Sequence, residues 1–293
     1  MKFLFNGQLT SQSEAVISAF DHGFLYGMGL FETFRTYGGR PWLLREHAAR
    51  LGRGCELLGI RYVPDVRRME RGVADLLAAG GLRDGYIRWS VSAGEGEIGL
   101  PSEDYGRPNE IVYAKALAPD HPATRPGKTL RLLKLRRSTP EGAYRLKSFH
   151  YMNNIAAKRE LLAAGAAPGT EGLFLDGAGH VAEGMVSNVF WLKSGKLCTP
   201  SSDTGLLEGV TREYVIRLAQ AEGIPVEEGL YGWEALLGAD EIFVTNSVQE
   251  IVPVVKLEND QGQRADSGSG EAGELTSRLM RLYRAAAERK DDE

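Results

Sequence analysis

Cysteine is nearly missing: Cys55 and Cys198 are the only two in 293 residues and lie far apart. That excludes a disulfide framework and makes a reducing, cytoplasmic compartment the simplest expectation. No Cys-x-x-Cys or His-x-x-x-His spacing occurs, so no metal site is expected. No run of about 18 apolar residues is present, so no membrane span is expected. Neither charge sign dominates: 39 acidic against 35 basic side chains leave a net charge of −4. Nucleic acid and anionic membranes are therefore not expected partners. The opening Met1-Lys2-Phe3-Leu4-Phe5-Asn6-Gly7 is too soon interrupted for a signal peptide and reads as an edge strand and turn.

What is present is the length at which single cores stop growing, about 250–300 residues, so two domains are expected. Residues 119–128 contain three prolines and a glycine, and read as a linker between a domain at 1–118 and one at 129–293. In the first domain, aromatic and β-branched residues over 26–37 predict a strand that turns at Gly38-Gly39. Apolar residues at helical spacing predict helices over 45–58 and 65–79. Alternation predicts strands over 85–92 and 110–118. In the second domain the pattern predicts a strand at 129–135 and a helix at 154–164. Short strands follow around turns at 176–179 and 194–195. A helix is predicted at 211–222 with Thr211 as N-cap, then a strand at 240–245. Residues 259–274 are polar and glycine-rich and read as mobile, ahead of a closing amphipathic helix at 275–289. Helices and strands mix without a steady βαβ period, so the expected fold class is α+β.

Lys147 stands between an arginine-rich run and an apolar helical stretch, in Lys147-Ser148-Phe149-His150-Tyr151-Met152-Asn153-Asn154. Most such lysines are surface cations. One buried among cations and apolar walls has a depressed pKa and a nucleophilic amine that can condense with a carbonyl. Its company decides between these readings. Upstream stand Phe20-Asp21-His22-Gly23-Phe24-Leu25-Tyr26-Gly27 and Phe31-Glu32-Thr33-Phe34-Arg35, and Arg50 within Glu46-His47-Ala48-Ala49-Arg50-Leu51. Downstream stand Val181-Ala182-Glu183-Gly184 with Ser187-Asn188, then Leu207-Glu208-Gly209-Val210-Thr211-Arg212, then Thr245-Asn246-Ser247-Val248-Gln249-Glu250.

In this order the motifs resemble the fold-type IV enzymes that use pyridoxal 5′-phosphate, from about Phe20 to Pro253. That superfamily includes branched-chain aminotransferases, D-amino acid aminotransferases and 4-amino-4-deoxychorismate lyases. The stretches beginning at Phe20 and Lys147 are most similar to the lyases of Gram-positive bacteria. The resemblance implies the two-domain architecture of the D-amino acid aminotransferases, with the active site between the domains, and a homodimer. It implies that Lys147 carries the cofactor aldehyde and then moves a proton at the substrate carbon. Glu183 would pair with the pyridine nitrogen, with Ser187 and Asn188 following at the family spacing. Arg50 would grip the phosphate through its planar fork. Val210 and Thr211 would meet the phosphate at a helix N-terminus, with Leu207 pressed on the ring and Ser247 and Val248 on a second phosphate loop. For Thr211 a plain N-cap role and a phosphate role stay compatible.

Substrate contacts are less defined. Arg88 either holds a carboxylate or faces outward from its strand. Thr33 is a candidate proton-handling hydroxyl. The loop at 94–101 lacks the Arg-x-His clamp of D-amino acid aminotransferases, and Phe24 replaces their tyrosine, so that activity is disfavoured. The implied activity is the lyase reaction, which eliminates pyruvate to give 4-aminobenzoate for folate synthesis. The alternatives are a branched-chain or broad-specificity aminotransferase and, in another class, a non-catalytic binding module on the same fold.

Overall fold

A computed structural model describes residues 2–118, 120–267 and 270–289. These residues group into two compact units, Met1–Pro119 with Leu146–His150 and Asp120–Arg145 with Tyr151–Glu293. The segment around Lys147 thus belongs, by its contacts, with the N-terminal part of the chain.

The first unit contains β1 (Lys2–Phe5), β2 (Gln8–Ser11), α1 (His22–Leu25), β3 (Gly29–Tyr37), β4 (Arg40–Pro41), α2 (Leu44–Leu57), α3 (Val66–Gly80), β5 (Gly85–Ser92) and β6 (Asn109–Ala116). The six strands form one antiparallel sheet in the order β2-β1-β6-β5-β3-β4. The two-residue period of a strand sorts its side chains between two faces. Leu30 and Phe34 of β3, with Ile87, Trp89 and Val91 of β5, join Leu51 and Cys55 of α2 and Met69 and Val73 of α3 in one core. Burying each large apolar side chain there contributes about 1.5–3 kcal/mol. The strand expected over 26–37 starts only at Gly29, because Asp21 accepts a 2.7 Å bond from Gly23 N and nucleates the single turn of α1.

The second unit contains β7 (Lys128–Leu132), α4 (Met152–Ala163), β8 (Glu171–Leu175), β9 (Val181–Gly184), β10 (Asn188–Lys193), β11 (Lys196–Pro200), α5 (Val210–Ala221), β12 (Val226–Gly229), α6 (Glu234–Leu237), β13 (Glu241–Asn246), β14 (Glu250–Glu258), β15 (Arg264–Asp266) and α7 (Glu274–Glu288). Its mixed sheet runs β12-β11-β10-β13-β14-β7-β8-β9, with β15 paired to β14. Leu130, Leu173, Val189, Trp191, Ile242, Val244 and Val254 fill one core. The mixture of helices and strands is α+β.

Three expectations change. Thr211 is not the N-cap of its helix: Gly209 is, and the Thr211 hydroxyl instead meets Ser247. The nine-residue β14, which the sequence reading passed over, continues the sheet past Glu250. Within the polar 259–274 stretch, Asn259 accepts bonds from Gln261 N and Gln263 N, and Arg264–Asp266 pair with β14. Positions 268 and 269 of that stretch lie outside the described residues. Among the described residues no helix is long and apolar enough to cross a membrane.

Candidate active site

Lys147 is presented by a short antiparallel pairing with the start of β3. Phe31 N donates to Lys147 O and Phe149 N donates to Gly29 O, both at 2.9 Å, and Leu30 lies opposite Ser148. The approach requires glycine at position 29, since a Cβ there would stand 2.3 Å from the Phe149 ring. Phe31 and Thr33 share one face of β3, and Arg88 is the cross-strand partner of Thr33. The Arg88 guanidinium carbon lies 3.6 Å from the Phe31 ring centroid and Lys147 Nζ lies 4.7 Å from it. One aromatic ring therefore orients both cations, each by about 0.5–2 kcal/mol. Lys147, Arg88 and Thr33, named from sequence, thus come together on one face. Phe31, which joins them, was not singled out; its two-residue spacing from Thr33 is the signal that points to it.

The other face of β3 carries Glu32, which is 1% exposed. His47 Nδ1 lies 2.6 Å from its Oε2, while Arg50 donates Nε to Oε1 at 2.8 Å and Nη2 to Oε2 at 2.6 Å. Burial pushes the Glu32 carboxyl up, but Arg50 and His47 outweigh it and bring it down to about 2. Burial also holds His47 below its ordinary value, against the pull of Glu32, and the charges of Arg50 and Lys147 add to the lowering. The neutral ring donates Nδ1–H to Glu32, and its buried Nε2 has no hydrogen-bond partner among the described residues. The arginine expected at the phosphate thus has one edge of its fork engaged by Glu32.

These shifts carry a sign. A histidine whose folded pKa is lowered stabilises the fold above its ordinary 6.5, and that contribution fades as pH falls below it. Glu32, also depressed, contributes above its ordinary 4.5 and loses this as pH falls toward about 2. The Glu32 shift corresponds to about 3 kcal/mol. We expect the melting temperature to drop on acidification through this window. Glu32→Gln should lower it at pH 7 and flatten the limb below about pH 4.5. Parallel melting curves for the two proteins across that limb would contradict the assignment.

In the second unit Glu183, from β9, is 4% exposed. Arg137 Nε donates to its Oε1 at 2.7 Å, Leu207 N donates to its Oε2 at 3.0 Å, and Arg145 Nε lies 3.8 Å from Oε1. Arg137 is itself held by Asn153 Oδ1 at 2.7 Å. Asn188 donates Nδ2 to Leu207 O at 2.8 Å, so the Leu207 peptide is held from both sides. Ser187 turns its hydroxyl to buried Glu171, at 2.9 Å. Gly209 packs where a Cβ would stand 2.2 Å from Asn188 Oδ1.

The first turn of α5 has no side-chain cap, so Val210 and Thr211 open a helix with uncapped N–H groups. Thr211 Oγ1 and Ser247 Oγ lie 3.0 Å apart. Asn246 Oδ1 accepts from Val248 N at 3.0 Å and Gln249 N at 2.8 Å, which sets the turn that carries Ser247. Helix N–H groups beside two hydroxyls are a setting for a phosphate. Arg137, Glu32 and Phe31 are the partners that sequence reading missed. Arg137 was visible only as part of a basic run.

A two-unit α+β chain with these halves defines a class. Residues 29–257 match the model of the amino-transferase class IV family, and the chain belongs to that family. The family works with pyridoxal 5′-phosphate. Over 282 residues, 95% of this chain and 92% of the relative, it is 44% identical to the aminodeoxychorismate lyase of Bacillus subtilis (strain 168). The branched-chain amino acid aminotransferase of Escherichia coli matches with a TM-score of 0.85 at 26% identity, covering 99% of this chain and 96% of that one. The T.th. branched-chain amino acid aminotransferase, complexed with N-(5′-phosphopyridoxyl)-L-glutamate, matches with a TM-score of 0.84 at 29% identity, covering 98% of this chain and 94% of that one. Each unit carries groups of the kinds such a cofactor needs: the first an amine in Lys147, the second a buried carboxylate in Glu183 and an uncapped helix start beside two hydroxyls.

Proposed function

We propose that this protein is a pyridoxal 5′-phosphate-dependent 4-amino-4-deoxychorismate lyase that works in the cytoplasm as a homodimer. The observation that carries the reading is the 44% identity with the Bacillus subtilis lyase across 95% of the chain. Pyridoxal 5′-phosphate, when bound, supplies an electron sink for the substrate carbon that bears the amine. Lys147 would hold the cofactor, with Glu183 for its ring nitrogen and Leu207 for its ring. Arg50, Val210, Thr211, Ser247 and Val248 would take the phosphate. Asn188 acts through the Leu207 carbonyl it holds, and Ser187 through Glu171.

The Lys147 amine would take the proton from the substrate carbon that bears the amine. The bond from the neighbouring carbon to the enolpyruvyl oxygen then breaks. The departing enolpyruvate gains a proton and leaves as pyruvate, and the ring becomes the aromatic 4-aminobenzoate. Arg88, stacked on Phe31, holds a substrate carboxylate, and Thr33 on the same face handles the proton at the leaving group. Aromatisation makes the elimination downhill, so these groups act mainly by positioning.

A homodimer is supported by an apolar patch on the first unit. Gly96 N bonds Phe20 O and Gly99 N bonds Tyr26 Oη, so the loop around residue 98 runs beside α1. Phe20, Phe24, Ile98 and Leu100 are all exposed there. Large apolar side chains left exposed on neighbouring segments suit an interface with a second copy. Sedimentation should give twice the monomer mass, and Phe24→Asp with Leu100→Asp should shift it to the monomer.

The deciding assay offers the holoenzyme 4-amino-4-deoxychorismate and, separately, leucine with 2-oxoglutarate. Equal amounts of 4-aminobenzoate and pyruvate are expected, with little glutamate. Rapid glutamate formation without 4-aminobenzoate would make this chain an aminotransferase instead.

A further inference from the structure

Glu250 holds a backbone conformation that its residue type disfavours. The turn between β13 and β14 spans residues 247–249 and is closed by the Asn246–Glu250 pair. Glu250 has φ 63°, in the left-handed region, where hairpin loops of this length usually place glycine. Its carboxylate supplies a reason for the departure. Glu250 is 0% exposed, and its two oxygens are divided between two arginines. Oε1 accepts Arg284 Nε at 2.9 Å and Nη2 at 2.6 Å, and Oε2 accepts Arg125 Nη2 at 3.0 Å. Arg125 also donates Nη1 to Ile251 O at 2.6 Å, gripping the next residue of the strand by its backbone. Both arginines reach Asp120 as well: Arg125 Nε at 3.1 Å to its carboxylate, and Arg284 Nη1 at 3.1 Å to its carbonyl. Arg284 comes from α7, the last helix described, which packs along β14.

These contacts converge on the base of the turn that carries Ser247 and Val248. The top of that turn is set locally by Asn246 Oδ1. Its base is set by charge-assisted bonds from outside the hairpin, which are short and directional. We propose that Glu250, Arg284 and Arg125 are positioning residues for the cofactor phosphate. The buried clamp holds the 246–250 turn so that the Ser247 hydroxyl stays opposite Thr211. Through Arg284 the C-terminal helix braces the turn from behind, without touching the cofactor. This inference rests on the assignment of Thr211 and Ser247 to the phosphate made above.

The test is a pyridoxal 5′-phosphate titration of the apoenzyme, with the ³¹P resonance of the bound phosphate as a second readout. Arg284→Met removes one of the two arginines that grip Glu250. It is expected to weaken cofactor binding about tenfold and to move the ³¹P resonance, while kcat at saturating cofactor stays within about twofold. Arg284→Lys, which keeps the charge but not the fork, should recover part of the affinity. Glu250→Gly relieves the backbone conformation and removes the carboxylate, and it should also weaken binding. A folded Arg284→Met protein with wild-type affinity and resonance overturns the clamp; where that variant does not fold, the same result from Arg284→Lys does so. Ser247→Ala separates the two layers. Weakened binding there with an unaffected Arg284 series sinks only the clamp. Wild-type binding by Ser247→Ala sinks the phosphate assignment and the clamp with it.

Discussion

Replacing Lys147 by alanine is expected to lower 4-aminobenzoate formation at saturating cofactor by at least about 10,000-fold, the upper range for loss of a positioned proton-transfer group. Arg88, which also stacks on Phe31, offers a guanidinium and not an amine, so it does not replace the Lys147 amine. The fold should tolerate the change. The Lys147 segment is tied to β3 through the backbone, by Phe31 N to Lys147 O and Phe149 N to Gly29 O, and neither bond uses the side chain. The melting temperature should therefore stay near that of the wild type while the rate collapses. Borohydride treatment followed by mass spectrometry gives an independent readout: the wild-type chain should gain the cofactor mass on the peptide containing Lys147, and the variant should not. A variant that keeps about a tenth of the wild-type rate would remove Lys147 from the chemistry.

The second large effect concerns Glu183, where charge and shape are separable. Glu183→Gln keeps an oxygen for Leu207 N but removes the negative charge between Arg137 and Arg145. The loss of a preorganised charge at a reacting group is worth about 100- to 1,000-fold in kcat, and that is the expected decrease. Glu183→Ala goes further. It strips the buried Arg137 guanidinium of its carboxylate and Leu207 N of its acceptor, and breaking a buried pair from one side costs about 3–5 kcal/mol. The alanine variant should thus lose stability as well as rate, whereas the glutamine variant should lose mostly rate. Measuring kcat and melting temperature for both separates the two roles. Equal rates for wild type and Glu183→Gln would leave the residue as a purely structural partner of Arg137.

The parts legible in the sequence were those with a local cause. The helices at 44–57 and 66–80 follow from apolar spacing, and Asp65 caps the second through its bond to Arg68 N. The motifs around Lys147, Glu183 and the Leu207-to-Thr211 turn stand out because each is contiguous in the sequence. Contacts joined only by folding were not readable. Arg137 is separated from Glu183 by 46 positions, and its role needs a pairing of strands that periodicity does not specify. Glu32 looked like one residue of an aromatic strand until its carboxylate was seen to hold both His47 and Arg50. Thr211 fitted the composition of an N-cap, but Gly209 holds the cap position and the Thr211 hydroxyl meets Ser247 in the turn after β13. The three-residue strand and Asn259 turn inside the polar 259–274 stretch were hidden for a related reason: they are held by pairing with β14, and composition alone does not reveal a partner.

The discontinuity of the first unit has a consequence for synthesis. Its residues 1–119 emerge long before residues 146–150 complete it. During that interval the backbone groups of Gly29 and Phe31 have no Phe149 and Lys147 to meet, and the start of β3 is an open edge. At about 5–20 residues per second the gap lasts on the order of seconds, long enough for a neighbouring nascent chain to offer a substitute strand. A protein ended at residue 128 would keep that edge open permanently, so the segment that carries Lys147 also covers the edge of its own sheet.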